Sequence, residues 1–97
     1  SLGIALANIN SNIIEKYNLD EDESGVIIVE VFEGGAAFDM NIREGHIIRR
    51  IGQRKVETVE TVITEVERQL EADRSGVLML IEADGRNRFV QLPFASR

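Results

Sequence analysis

Cysteine and tryptophan are absent from the 97 residues, and proline, histidine and tyrosine occur once each. Without cysteine there is no disulfide, no thiol nucleophile and no zinc site built on thiolates. His46 is then the single candidate for imidazole base catalysis, and no serine or aspartate stands in a nucleophile context such as Gly-x-Ser-x-Gly. Basic residues are outnumbered 11 to 17, for a net charge of −6, so the chain lacks the basic face that nucleic-acid phosphates require. No apolar run approaches the roughly 20 residues of a membrane-spanning helix. No leader-type segment is present either. The chain is therefore expected to be cytosolic or an excised piece of a longer exported protein, the second favoured because it opens on a loop of functional type. Carboxylates abound, but their spacing favours neither a glycosidase pair nor an EF-hand calcium loop. No catalysis, cofactor or metal is expected.

What is present suits one small soluble domain over residues 1–97, at 43% hydrophobic and 29% charged. Ser1 and residues 95–97 are read as possible flanking additions to it. The chain begins Ser1-Leu2-Gly3-Ile4-Ala5-Leu6. A glycine between apolar residues describes a tight loop running into a strand, with Leu2, Ile4 and Leu6 on one side at the period of two. Such a loop can turn backbone N–H groups toward an anion, in particular the carboxylate that ends a peptide.

Residues 4–9 read as a strand and 10–17 as a short helix capped by Asn or Ser, with Ile13, Ile14 and Tyr17 as its apolar face and Glu15 favourable near its start. Asp20, Glu21, Asp22 and Glu23 repel one another and read as a solvated loop without partners. Residues 25–31 are β-branched on both parities, as a central strand would be. Gly34 and Gly35 make a turn, Ala36 and Ala37 start a short helix, Asn41 suits a left-handed stop, and 46–51 is again a strand. Gly52-Gln53 turns into Arg54-Lys55-Val56 as a small hairpin.

Val59, Val62, Ile63, Val66 and Leu70 form a stripe that only a helix explains. Thr58 is its expected N-cap, Glu60 suits its positive end, and Gly76 lies just beyond its close. Strands at 76–81 and 88–92 flank a turn over 83–87, and Pro93 belongs at an edge or end of the sheet. The fold class is α+β, mainly β: a partly open antiparallel barrel of five to six short strands, capped by one longer and one or two short helices.

In order, these segments resemble a PDZ domain of the HtrA/Do-type (DegP-like) periplasmic serine proteases, and the second PDZ domain in particular. Ser1-Leu2-Gly3-Ile4 is similar to the family's carboxylate-binding loop, a relative of Gly-Leu-Gly-Phe. Glu33-Gly34-Gly35-Ala36-Ala37 resembles its Pro-Gly-Ser-Pro-Ala turn, and residues 41–48 resemble Gly-Leu-x-x-Gly-Asp-x-Ile. Residues 52–56 match the Asn-Gly-x-x-Val hairpin, and 88–93 resemble the closing strand. Ala36 stands for the usual proline, Asn41 for glycine and His46 for aspartate. His46 reads as a neutral turn residue, with a pH-sensitive contact as the sharper alternative.

The resemblance implies a non-catalytic module that binds C-terminal or extended apolar peptide segments by β-strand addition between strand 4–9 and helix 59–70. Leu2, Gly3 and Ile4 would hold the terminal carboxylate through backbone N–H groups. Leu2, Ile4 and Leu6 would line the pocket for the last side chain, with Ala5 between them on the strand. Val59 and Ile63 would form the helix wall and Val66 would lie deeper. Val59 stands where domains selecting Ser or Thr carry histidine, so an apolar ligand side chain is expected there. The implied parent is a periplasmic, trimer-based quality-control serine endopeptidase whose Ser-His-Asp domain lies outside this chain. The implied partners are apolar or unfolded polypeptide segments, the protease domain and neighbouring subunits, without nucleic acid or a membrane span. The alternative function is subunit assembly with an idle or occluded groove.

Overall fold

Val26, Ile27 and Ile28 are all fully buried, which requires a strand covered on both faces, and they lie next to one edge of a single antiparallel sheet. The computed structural model describes residues 2–94; the reading of Ser1 and of 95–97 as flanking residues, and of Ser1 as part of the loop, falls outside them. In chain order the elements are β1 (Ile4–Asn8), α1 (Ser11–Tyr17), β2 (Val26–Val31), α2 (Ala36–Asp39), β3 (Ile47–Ile51), β4 (Arg54–Lys55), α3 (Val59–Glu71), β5 (Gly76–Ala83) and β6 (Arg86–Pro93). The strands run β1-β2-β3-β5-β6, with the short β4 paired to β3, so the sheet curls without closing and leaves β1 and β6 at its edges. This is the expected mainly β, partly open architecture, with one long and two short helices.

Two bulges curve the sheet around its core. Between Ala5 and Leu6 the pairing of β1 jumps from Glu30 to Ile28, which leaves Val29 as the surplus residue of β2. Val26 and Ile28 point into the core, and after the surplus residue Val31 packs against it as well, although simple alternation would turn Val31 outward. In β3, Ile48 pairs with Ile81 but Arg50 with Leu80, so Arg49 is surplus; Ile48 and Ile51 are consequently both in the core.

Arg49 projects from its bulge to Glu23 and Glu82 as an ion-pair triad and donates to the Ser24 carbonyl at 2.6 Å. This corrects the reading of residues 20–23 as partnerless. Asp20, Glu21 and Asp22 are exposed, but the Glu23 side chain is only 12% exposed because a guanidinium 26 positions away reaches it.

Local signals set most boundaries. Asn10 caps α1 through Ile13 N, and Asn18 closes it in a left-handed conformation. Glu15 lies past the first turn, which holds no acid, so it does not serve the helix start. Asn41 is left-handed at φ 66°. Thr58 Oγ1 caps α3 through Thr61 N, and Glu60 sits in its first turn. The helix closes at Ala72 and left-handed Asp73, whereas Gly76 already opens β5. The last turn is tighter than residues 83–87: only Asp84 and Gly85 link the strands, both at positive φ, the geometry that keeps a two-residue hairpin in twist. Strand β1 ends at Asn8, opposite the first residue of β2, and there Asn8 Oδ1 accepts the backbone N–H of Val59 at 2.8 Å.

Candidate functional site

That bond fixes the geometry of the site. It places the C-terminal end of β1 beside the N-terminus of α3, and the partly buried Leu6, Ile4 and Leu2 pack on the same core as Val59 and Val66. Moving down α3 from Val59 therefore means moving back along β1 toward Gly3. The rise per residue makes the two runs commensurate: eight helical steps and four strand steps each cover about 12–13 Å.

Between them lies an open trough of about 260 Å³ lined by Leu2, Ile4, Leu6, Val62, Ile63, Val66 and Glu67. Six of the seven are apolar. Larger recesses exist, one of about 510 Å³ beside Gln53, Gln69, Arg74 and Gln91, but polar and charged residues predominate in their linings. Among the described residues strand β1 has a neighbour on one side only, so the trough is floored by apolar side chains and flanked by main chain able to pair with an added strand.

Of the residues expected at the site, Leu2, Ile4, Leu6, Ile63 and Val66 line the trough together. Ile63 is 50% exposed, so it is wall and not core. Gly3 opens β1 from a left-handed conformation at φ 79°, and a Cβ there would stand 3.2 Å from the Cα of Gly35. The carbonyl of Gly3 accepts the N–H of Phe32 at 2.9 Å; the loop is thus tied down beside the Gly34-Gly35 turn. Ala5 pairs with Glu30, and its side chain is not in the lining. Val59 is not in the lining either. Its place at the very start of α3, half-buried and held by Asn8, puts it at the trough's far end.

Two lining residues escaped the sequence reading. Val62 looks like any stripe residue, and it is 98% buried while still contributing to the trough. Glu67 interrupts the apolar pattern and so gave no signal. Its neighbour Glu65 shows the contrast: nearly buried, it is held by Arg54 at 3.4 Å and Arg68 at 3.5 Å. Glu65 is thus an acid of α3 held against the body of the domain.

His46 lies elsewhere, at the head of β3. Its Nδ1 accepts the backbone N–H of Arg43 at 3.1 Å, the bond a carboxylate in that turn could also accept. Burial, with the charges of Arg88 and Arg43, holds the imidazole below its usual range against a smaller opposing effect of Asp84. No cluster of His, Cys, Asp or Glu that could hold a metal occurs among the described residues.

The strand order, the glycine loop and the strand–helix trough define the PDZ fold. The structure superposes on the HtrA3 PDZ domain bound to a phage-derived ligand (FGRWV) with a TM-score of 0.75 at 16% identity, covering 96% of this chain and 82% of that one. The HtrA-type protease AlgW with a decapeptide gives 0.80 at 18% identity, over 96% of this chain and 28% of that one. In sequence, the chain is 26% identical over 89 residues to the "Probable periplasmic serine endoprotease DegP-like" of Rickettsia conorii, across 92% of this chain and 17% of the relative. The protein of the same description from Brucella suis is 29% identical over 84 residues, across 82% and 16%. No family model matches. The chain thus spans about one-sixth of the length of these curated relatives, and what it shares with them is a PDZ domain and not a protease domain. No helix among the described residues is long and apolar enough to cross a membrane.

Proposed function

We propose that this domain is the peptide-binding regulatory module of a periplasmic serine endopeptidase, and that it takes up C-terminal or extended apolar segments by strand addition to β1. The observation that carries this reading is the apolar trough between α3 and the unpaired side of an edge strand. A ligand strand beside β1 would exchange main-chain hydrogen bonds with it and direct alternate side chains into the trough, while the Leu2-Gly3-Ile4 turn would receive the terminal carboxylate. Ile63 and Val66 would meet the side chain at the ligand's end, and Val59 a side chain further back. Two structural neighbours bear peptides, by their descriptions. The periplasm is the compartment named for the sequence relatives.

The test is an NMR titration with short peptides ending in apolar residues, each run beside its amidated form. Shifts at 2–6 and 59–67 that vanish on amidation support carboxylate capture. Shifts that survive amidation support strand addition of extended segments. Silence in both segments removes the reading.

A second reading, docking onto a neighbouring subunit of the parent, is favoured by a different surface. Leu78, Leu80 and Phe89 lie on the outer face of β5 and β6, Leu80 directly across from Phe89. Phe89 is 62% exposed and Leu78 40%, more than an isolated domain gains from leaving outside. Self-association of the domain that Phe89→Glu abolishes, measured by sedimentation, would support it.

A further inference from the structure

From the single charge in the trough we infer that Glu67 is a specificity residue, and that the groove selects ligands whose last in-groove side chain has a long aliphatic stem and a cationic tip, Lys or Arg. The inference rests on the strand-addition reading above and names its substrate class. Glu67 lines the trough with Val66 and Leu2. Because α3 runs antiparallel to β1 from the Asn8–Val59 bond onward, it stands at the loop end, where the ligand's final residue would lie. Its carboxylate has no ion-pair partner among the described residues, although Glu65 two positions earlier takes both Arg54 and Arg68. On its other side Glu67 borders a recess shared with Thr64, Arg68 and Glu71, in which Arg68 is held by Glu65 at 3.5 Å.

An apolar floor under a carboxylate rim matches one kind of side chain. The methylenes of Lys or Arg cover apolar surface while the charged head stays at the edge, here against Glu67. An acidic side chain at the same place would meet the like charge of Glu67. A ligand's own terminal carboxylate feels part of that repulsion, which a cationic final side chain offsets.

The experiment uses three peptides of one apolar sequence ending in lysine, norleucine or glutamate, titrated into this domain and its Glu67→Gln variant at low and high salt. Norleucine keeps a lysine-like stem and removes the charge. At low salt the unchanged domain should bind the lysine peptide roughly 2- to 5-fold more tightly than the norleucine peptide, the range of an exposed ion pair, and the glutamate peptide most weakly. In Glu67→Gln the lysine advantage should vanish while norleucine binding holds, and high salt should mimic the variant. Norleucine binding equal to or tighter than lysine in the unchanged domain overturns the inference while leaving strand addition standing, as does a lysine advantage that persists in Glu67→Gln. If no peptide binds either protein, the strand-addition reading falls and the inference with it.

Discussion

The sheet has two edges, and they are built differently. Strand β6 is long, pairs in register with β5 over eight residues, and exposes Arg86 and Gln91, while Arg88 donates to the Met40 and Asn41 carbonyls at 3.2 Å, before the strand ends at Pro93. Charges and a terminal proline are what keep an edge from recruiting another strand. Strand β1 is five residues long and carries no charge. Its protection comes from α3, which stands off by the width of an apolar trough, where the proposed ligand strand would lie. One edge is blocked by its own side chains; the other is screened but addressable. An open edge is therefore a place where the usual protection has been moved from the strand to a neighbouring helix.

The sharpest way to break this contrast is to cut equivalent side chains on the two strands. Leu92→Ala on β6 removes a fully buried side chain and should cost about 2–5 kcal/mol, read by urea denaturation. Leu6→Ala on β1 should cost less than half as much and lower peptide affinity. Equal stability losses would mean that the trough is ordinary core. Next in size is Gly3→Ala: a left-handed alanine costs about 1–2 kcal/mol, and the 3.2 Å approach to Gly35 adds crowding. Peptide binding should fall further than stability, and unchanged affinity would remove the loop from the site.

Ile63→Glu should abolish peptide binding yet shift stability by no more than about 0.5 kcal/mol, as at exposed positions. Global unfolding of this variant would place Ile63 in the core instead.

The smallest effect belongs to the β6 side. His46, whose folded-state pKa lies below its ordinary 6.5, is held neutral by burial and then by Arg88 of β6 and Arg43. Below about pH 6.5 the unfolded chain binds more protons, so stability should be highest above that pH and decline as pH falls through the window beneath it. His46→Asn keeps an acceptor for the Arg43 N–H and should flatten that part of the profile; an unaltered slope would assign the decline to other groups.

Much of this was legible because periodicity is local. The α3 stripe, the Thr58 cap, the Gly52-Gln53 turn and the alternation of Leu2, Ile4 and Leu6 depend on neighbours in the chain, and each is where the sequence placed it. Val59 is expected in the helix wall from the stripe alone, but a stripe tells only which face is apolar; the Asn8 bond, which holds Val59 at the far end of the trough and outside its lining, depends on a contact 51 positions away. Glu67 was missed because a search for apolar walls passes over a carboxylate. The partnership of Glu23 with Arg49 could not be seen at all, since it depends on a bulge formed only when β3 meets β5.

The bulge at Val29 lies on the inner strand. A surplus residue on β1 itself would have thrown the side chains after it to the other face and given any visitor a broken pattern to copy. Carried one strand inward, the misfit is absorbed where the domain pairs only with itself. The outermost strand keeps an even alternation, the pattern that a ligand strand would copy under the proposed mode of binding.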